Sequence, residues 1–108
     1  MASRAEYRDF LLDQLAELRE VDCRTMMGEY ILYYRGRIFG GIYDDRLLVK
    51  PVAAARTLLP HAPEEQPYPG AKPMLLIEDV DDRAALATLV EALYEALPAP
   101  RSRRKWNG

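Results

Sequence analysis

Tyr7, Phe10, Leu11, Leu15 and Leu18 recur three and four residues apart, and Arg8, Asp9, Asp13 and Glu17 fill the positions between them. That spacing predicts an amphipathic helix of about four turns with one apolar face. Ser3 and Glu6 ahead of it form a capping box, each side chain placed to satisfy a backbone N–H at the helix start. From Thr25 to Pro51 the period shortens to that of a strand. Tyr30, Leu32 and Tyr34 point one way, with Ile31 and Tyr33 the other. Further on, Ile38, Gly40 and Ile42 alternate with Phe39, Gly41 and Tyr43, and Leu47, Leu48 and Val49 follow. Gly36 and the pair Asp44-Asp45 suit tight turns, so the stretch predicts a three-stranded antiparallel meander. Gly40-Gly41 is costly inside a strand, which calls for a bulge or the close approach of another backbone.

Pro51 opens a short helix, Val52 to Leu59, which Pro60 stops. Pro60, Pro63, Pro67, Pro69, Pro73 and Gly70 then make residues 60–73 a constrained surface loop, with a short extended piece near Tyr68. Met74 to Ile77 is a strand of the buried type. Asp81 or Asp82 caps a last helix whose stripe is Leu86, Leu89, Val90, Leu93, Tyr94 and Leu97, and Pro98 terminates it. The order is α-βββ-α-β-α, with room for one extra strand on each side of the middle helix. Antiparallel strands with helices on one side make a two-layer α+β domain over residues 1–98, followed by a basic tail, 99–108.

Composition narrows the class. At 49% apolar and 30% charged residues the chain is globular rather than disordered. No apolar run approaches the roughly 20 residues of a membrane span. The N-terminus lacks the apolar core of a signal peptide. Cys23 is the one cysteine and cannot staple a secreted fold, so a cytoplasmic setting is expected. Formal charge is −2, but Arg101, Arg103, Arg104 and Lys105 stand in the tail without an acid. The body is therefore acidic, which argues against a broad nucleic-acid platform on the folded surface.

Candidate chemistry is sparse. His61, the one histidine, sits in the proline loop without the partners of a metal site or catalytic dyad. Cys23 stands beside Arg24, a cation able to lower a thiol pKa, but with one histidine and no CxxC a buried or idle cysteine is the favoured reading. Met26-Met27 reads as packing, and Gly40-Gly41 lacks the spacing of a phosphate loop. Glu78, Asp79, Asp81 and Asp82 lack the EF-hand spacing and suit a helix N-terminus. No Ser-His-Asp set assembles, so the residues support neither an enzyme nor a cofactor or metal. Tyr30, Tyr33, Tyr34 and Tyr43 crowd one hairpin. They read as a protein interface, since tyrosine joins apolar area to a polar tip, or as ordinary strand composition. Arg101, Arg103, Arg104 and Lys105, with Trp106 after them, read as a contact for nucleic acid or an acidic partner, or as a solubilising end.

Arg24-Thr25-Met26-Met27-Gly28-Glu29-Tyr30, Leu32-Tyr33, Phe39-Gly40-Gly41-Ile42, Asp44-Asp45 and Leu48-Val49-Lys50-Pro51 resemble the N-terminal domain of the TfoX/Sxy competence-regulator family. Pro67-Tyr68-Pro69-Gly70-Ala71-Lys72, Met74-Leu75-Leu76 and Leu93-Tyr94-Glu95-Ala96-Leu97-Pro98 extend the resemblance to about residues 3–98. Where that family commonly has Met-Phe-Gly-Gly-Tyr, this chain has Met26-Met27-Gly28-Glu29-Tyr30. The resemblance implies an α-β(3)-α-β(2)-α fold similar to secretion chaperones. It also implies a bacterial, non-enzymatic role in transcription and DNA-uptake competence, exerted through protein partners such as the transcription machinery. Nothing after residue 98 matches the second, helical domain of full-length members, so a stand-alone short form is expected. A homodimer through an exposed sheet face is a further expectation.

Overall fold

The structure, a computed structural model, describes residues 4–97. Helix α1 (Ala5–Gln14) leads into β1 (Val21–Met26), β2 (Glu29–Tyr34), β3 (Arg37–Ile42) and β4 (Leu47–Val49). Helix α2 (Ala53–Leu58), β5 (Glu64–Glu65), β6 (Met74–Ile77) and α3 (Arg83–Ala96) complete the order. The strands form one antiparallel sheet in the order β1-β2-β3-β4-β6-β5. The α+β class, the antiparallel sheet and the three helices are as the sequence predicts.

Local chemistry accounts for the boundaries. α1 is shorter than its apolar spacing predicts, because the backbone leaves helical geometry at Leu15, yet Leu15 and Leu18 remain buried in the turns that follow. Its N-cap is Arg4, which makes no side-chain cap bond; Ser3 of the expected capping box lies outside the described residues. Arg4 instead donates from its backbone N–H to Asp45 Oδ1 and from Nε to Asp45 Oδ2, both at 2.8 Å. These bonds, the backbone one foremost, hold the Asp45 carboxyl below its ordinary pKa. The extended piece expected near Tyr68 lies at Glu64–Glu65, where it pairs with β6.

β1 is a strand beyond the three of the predicted meander, so Cys23 sits inside a strand. β1 and β2 are joined through Met27-Gly28, with φ of 54° and 85°. Arg35-Gly36 and Asp44-Asp45 likewise have both φ angles positive, the twist that two-residue hairpins favour.

The double glycine has both of the reasons expected of it. Leu32 pairs with Gly40 and Tyr33 with Ile38, which leaves Phe39 as the extra residue of a bulge. The expected alternation therefore breaks: Phe39 turns inward to join Ile42 in the helix-side core, where it is 1% exposed. A Cβ on Gly40 would meet the Leu48 carbonyl oxygen and lie 2.9 Å from Val49 Cα. One on Gly41 would lie 2.6 Å from Tyr43 Cε2 and 2.7 Å from the Tyr30 carbonyl oxygen.

The main core lies between the helices and one face of the sheet. Leu11 of α1, Ala55 of α2 and Leu86, Leu89, Val90 and Leu93 of α3 pack over Tyr30, Leu32, Tyr34, Ile42, Leu47, Val49, Leu75 and Ile77. α3 is capped at both ends. Asp82 Oδ1 accepts from the Ala85 N–H at 3.0 Å. At the other end Arg37 Nη1 donates to the carbonyls of Tyr94 (2.7 Å) and Leu97 (2.9 Å), with its guanidinium 4.1 Å from the Tyr94 ring centroid. Arg37 Nε is buried with no hydrogen-bond partner among the described residues, a cost these contacts must offset. Arg37→Met is expected to destabilise the fold by about 2 kcal/mol, and Arg37→Lys to recover only part of that. Urea midpoints measure both; a Met variant with the wild-type midpoint refutes the cap.

Candidate functional site

Because strand side chains alternate, one apolar face of the sheet points away from the helices. The register aligns Arg24 with Ile31, Ile31 with Gly41, Gly41 with Leu48 and Leu48 with Leu76, a row that crosses five strands. Ile31, Tyr43 and Leu48 are its buried cluster, with half-buried Tyr33, Met74 and Leu76 packed against them. All three helices contribute to the opposite core and none to this one. Antiparallel sheets commonly keep a solvated face by alternating apolar with polar residues. Here the unbroken apolar runs of β4 and β6 put leucines on both sides.

The rim of this face suits recognition. Ile38, opposite Tyr33, is 39% exposed and Tyr68 is 59% exposed. The Tyr43 and Tyr68 ring centroids are 6.3 Å apart. Arg24 lies over the Tyr33 ring, 5.5 Å from its centroid. Burial raises the Tyr43 hydroxyl pKa, helped by Tyr68 and Glu29, so the group stays a protonated donor. Apolar area with polar tips and an arginine at its edge is the composition of protein interfaces.

The structure divides the four hairpin tyrosines between the two faces. Tyr33 and Tyr43 lie on the face away from the helices, Tyr43 buried there and Tyr33 half-buried, while Tyr30 and Tyr34 are buried against the helices. Tyr34 packs edge-on to Tyr94 with centroids 5.5 Å apart, and Arg8 lies 5.1 Å from the Tyr30 centroid. The face also carries Ile38, Met74, Leu76 and Tyr68, none of them a candidate from the sequence; the continuous run Met74 to Ile77 is the signal for two of them. Cys23 faces the helix side, and burial pushes its thiol pKa up. The cation that opposes this is Arg8, not Arg24, whose guanidinium lies over Tyr33 on the other face. Arg101, Arg103, Arg104 and Lys105 lie outside the described residues.

A groove of about 640 Å³ opens between the end of α2, the start of the proline loop, the end of β6 and the first half of α3. Leu58, Leu59, Ala62, Ile77, Leu86 and Leu89 line it, and His61, Glu78, Asp79 and Asp82 stand along its edge. No hydrogen bond joins His61 to these carboxylates among the described residues. Among the same residues no cluster of three or more His, Cys, Asp or Glu side chains is placed to hold a metal ion. No described helix is long and apolar enough to cross a membrane.

The family model for the TfoX N-terminal domain matches residues 13–97. An uncharacterised 12.7 kDa protein from the trpE 5′ region of Spirochaeta aurantia is 36% identical over 105 residues, 96% of this chain and 91% of the relative. No solved structure matches.

Proposed function

The chain belongs to the TfoX N-terminal domain family, and from that membership we propose that it is a small, non-enzymatic protein-interaction domain acting in the bacterial cytoplasm. Its role on this reading is regulatory, in transcription and DNA-uptake competence, and is exercised through a protein partner. Kinship supports the process. The apolar sheet face that no helix covers, with Ile38 and Tyr68 exposed at its rim, supports the mode of action.

The test is capture of a partner by the full chain, compared across surface variants. Ile38→Arg and Tyr33→Ser are expected to reduce capture at least about tenfold, the loss of 1.4 kcal/mol or more at an interface hot spot. Phe10→Ser, at an exposed position on α1, is expected to leave it intact. Equal capture by all three overturns the assignment of this face. A second copy as the partner would show as mass rising with concentration in light scattering, lost in Ile38→Arg.

The basic run Arg101 to Lys105 favours a second reading, nucleic-acid binding through the tail. It requires salt-sensitive binding that disappears when residues 101–108 are removed. Binding unchanged by that removal refutes it.

A further inference from the structure

The groove beside α3 is apolar within and acidic at its edge. Leu58 is 45% exposed there, an apolar side chain left without cover. Glu78, Asp79 and Asp82 line the groove, and Asp81 is their neighbour in sequence. None of the four has an ion-pair partner among the described residues. Arg83, the adjacent cation, is paired with Asp13. Asp82 commits one oxygen to the Ala85 cap and Asp79 one to the Asp81 N–H, which leaves the other oxygens of both free to accept.

We propose that the chain's own segment Arg101 to Trp106 docks on this groove, Trp106 among the leucines and the basic residues along the carboxylates. Charge complementarity singles out this occupant. Arg101, Arg103, Arg104 and Lys105 offer cations where the rim offers unpaired anions, and Trp106 is the large apolar group among them. The reach is sufficient. From Leu97 back to Ala85 along α3 is roughly 18 Å at 1.5 Å per residue. Residues 98–106 extend to about 30 Å. Tethering through so short a segment gives an effective concentration in the millimolar range, so weak contacts hold the segment in place. The inference does not depend on the sheet face: the two share half-buried Leu76, but Leu58, Glu78 and Asp79 belong to the groove alone and Tyr33 and Ile38 to the face.

Trp106 is the one tryptophan of the chain, so its fluorescence reports the segment directly. In the full chain at low salt, docking gives blue-shifted emission and protection from acrylamide, both independent of protein concentration. Leu58→Asp shifts the emission to the red and removes the protection; circular dichroism checks that the variant is folded. The double variant Glu78→Lys/Asp79→Lys does the same by reversing the rim. High salt weakens the protection, since exposed charges are screened. Emission of water-exposed tryptophan in the wild type overturns the proposal. So does a blue shift that neither variant moves, one that grows with protein concentration, or protection that appears only when an oligonucleotide is added.

Discussion

Gly40→Ala is expected to lower the melting temperature by roughly 15 °C, the effect of about 3 kcal/mol in a domain of this size. The collision is with backbone. The added methyl meets the Leu48 carbonyl oxygen and Val49 Cα, and neither can swing aside as a side-chain tip would. β4 sits between β3 and β6, so separating it from β3 also strains its pairing with Leu75, Leu76 and Ile77. Gly70→Ala is the matched control. Its φ is +88°, but nothing lies within 4 Å of the new Cβ, so only the left-handed penalty of about 1 kcal/mol remains. Thermal melts followed by circular dichroism separate the two; equal shifts refute the close-approach explanation of Gly40.

Phe39→Ala is expected to destabilise the chain by about 4 kcal/mol, the range for removing a buried phenylalanine. The bulge is what makes this large. With regular alternation Phe39 would lie on the uncovered face, where truncation would cost about 1 kcal/mol or less. Instead its backbone oxygen accepts from the Lys50 N–H at 3.0 Å while its ring enters the helix-side core. Phe39→Leu, which keeps most of the volume, is expected to lose about 1.5 kcal/mol. Chemical denaturation with a shared m-value reads both. A Phe39→Ala loss below about 1 kcal/mol would return the side chain to the outer face.

The elements with strong periodicity were legible from residues alone. α3 shows its stripe and its Asp82 cap, and β2 its alternation, because each buries one defined face. β1 is less legible: Val21 and Cys23 alternate with Asp22 and Arg24, but the run is short and half polar, and it borrows order from β2. The glycine pair announced an irregularity but not its direction, since either strand face accommodates a bulge. The tyrosines were legible as a group and not as a surface. Their distribution between core and open face follows from parity along β2 and from the turn at Asp44-Asp45, which folds Tyr43 back across Gly41. The groove had no linear signature at all. Its walls come from α2, the proline loop, β6 and α3, and only tertiary packing puts them together.

The hairpin connectivity of β1 to β4 also sets an order of assembly. Each of those strands meets the next through a two- to four-residue turn, so closing them costs little loop entropy. β6 must cross α2 and the proline loop to reach β4. The bonds from Gln14 to Val80 and from Arg37 to Leu97 close spans of 66 and 60 residues. The meander is thus the natural nucleus, and β6 and α3 are its late additions. On that order the tyrosine-bearing part of the sheet is expected to form early, whereas the acidic groove, walled partly by α3, exists only once the last helix has docked.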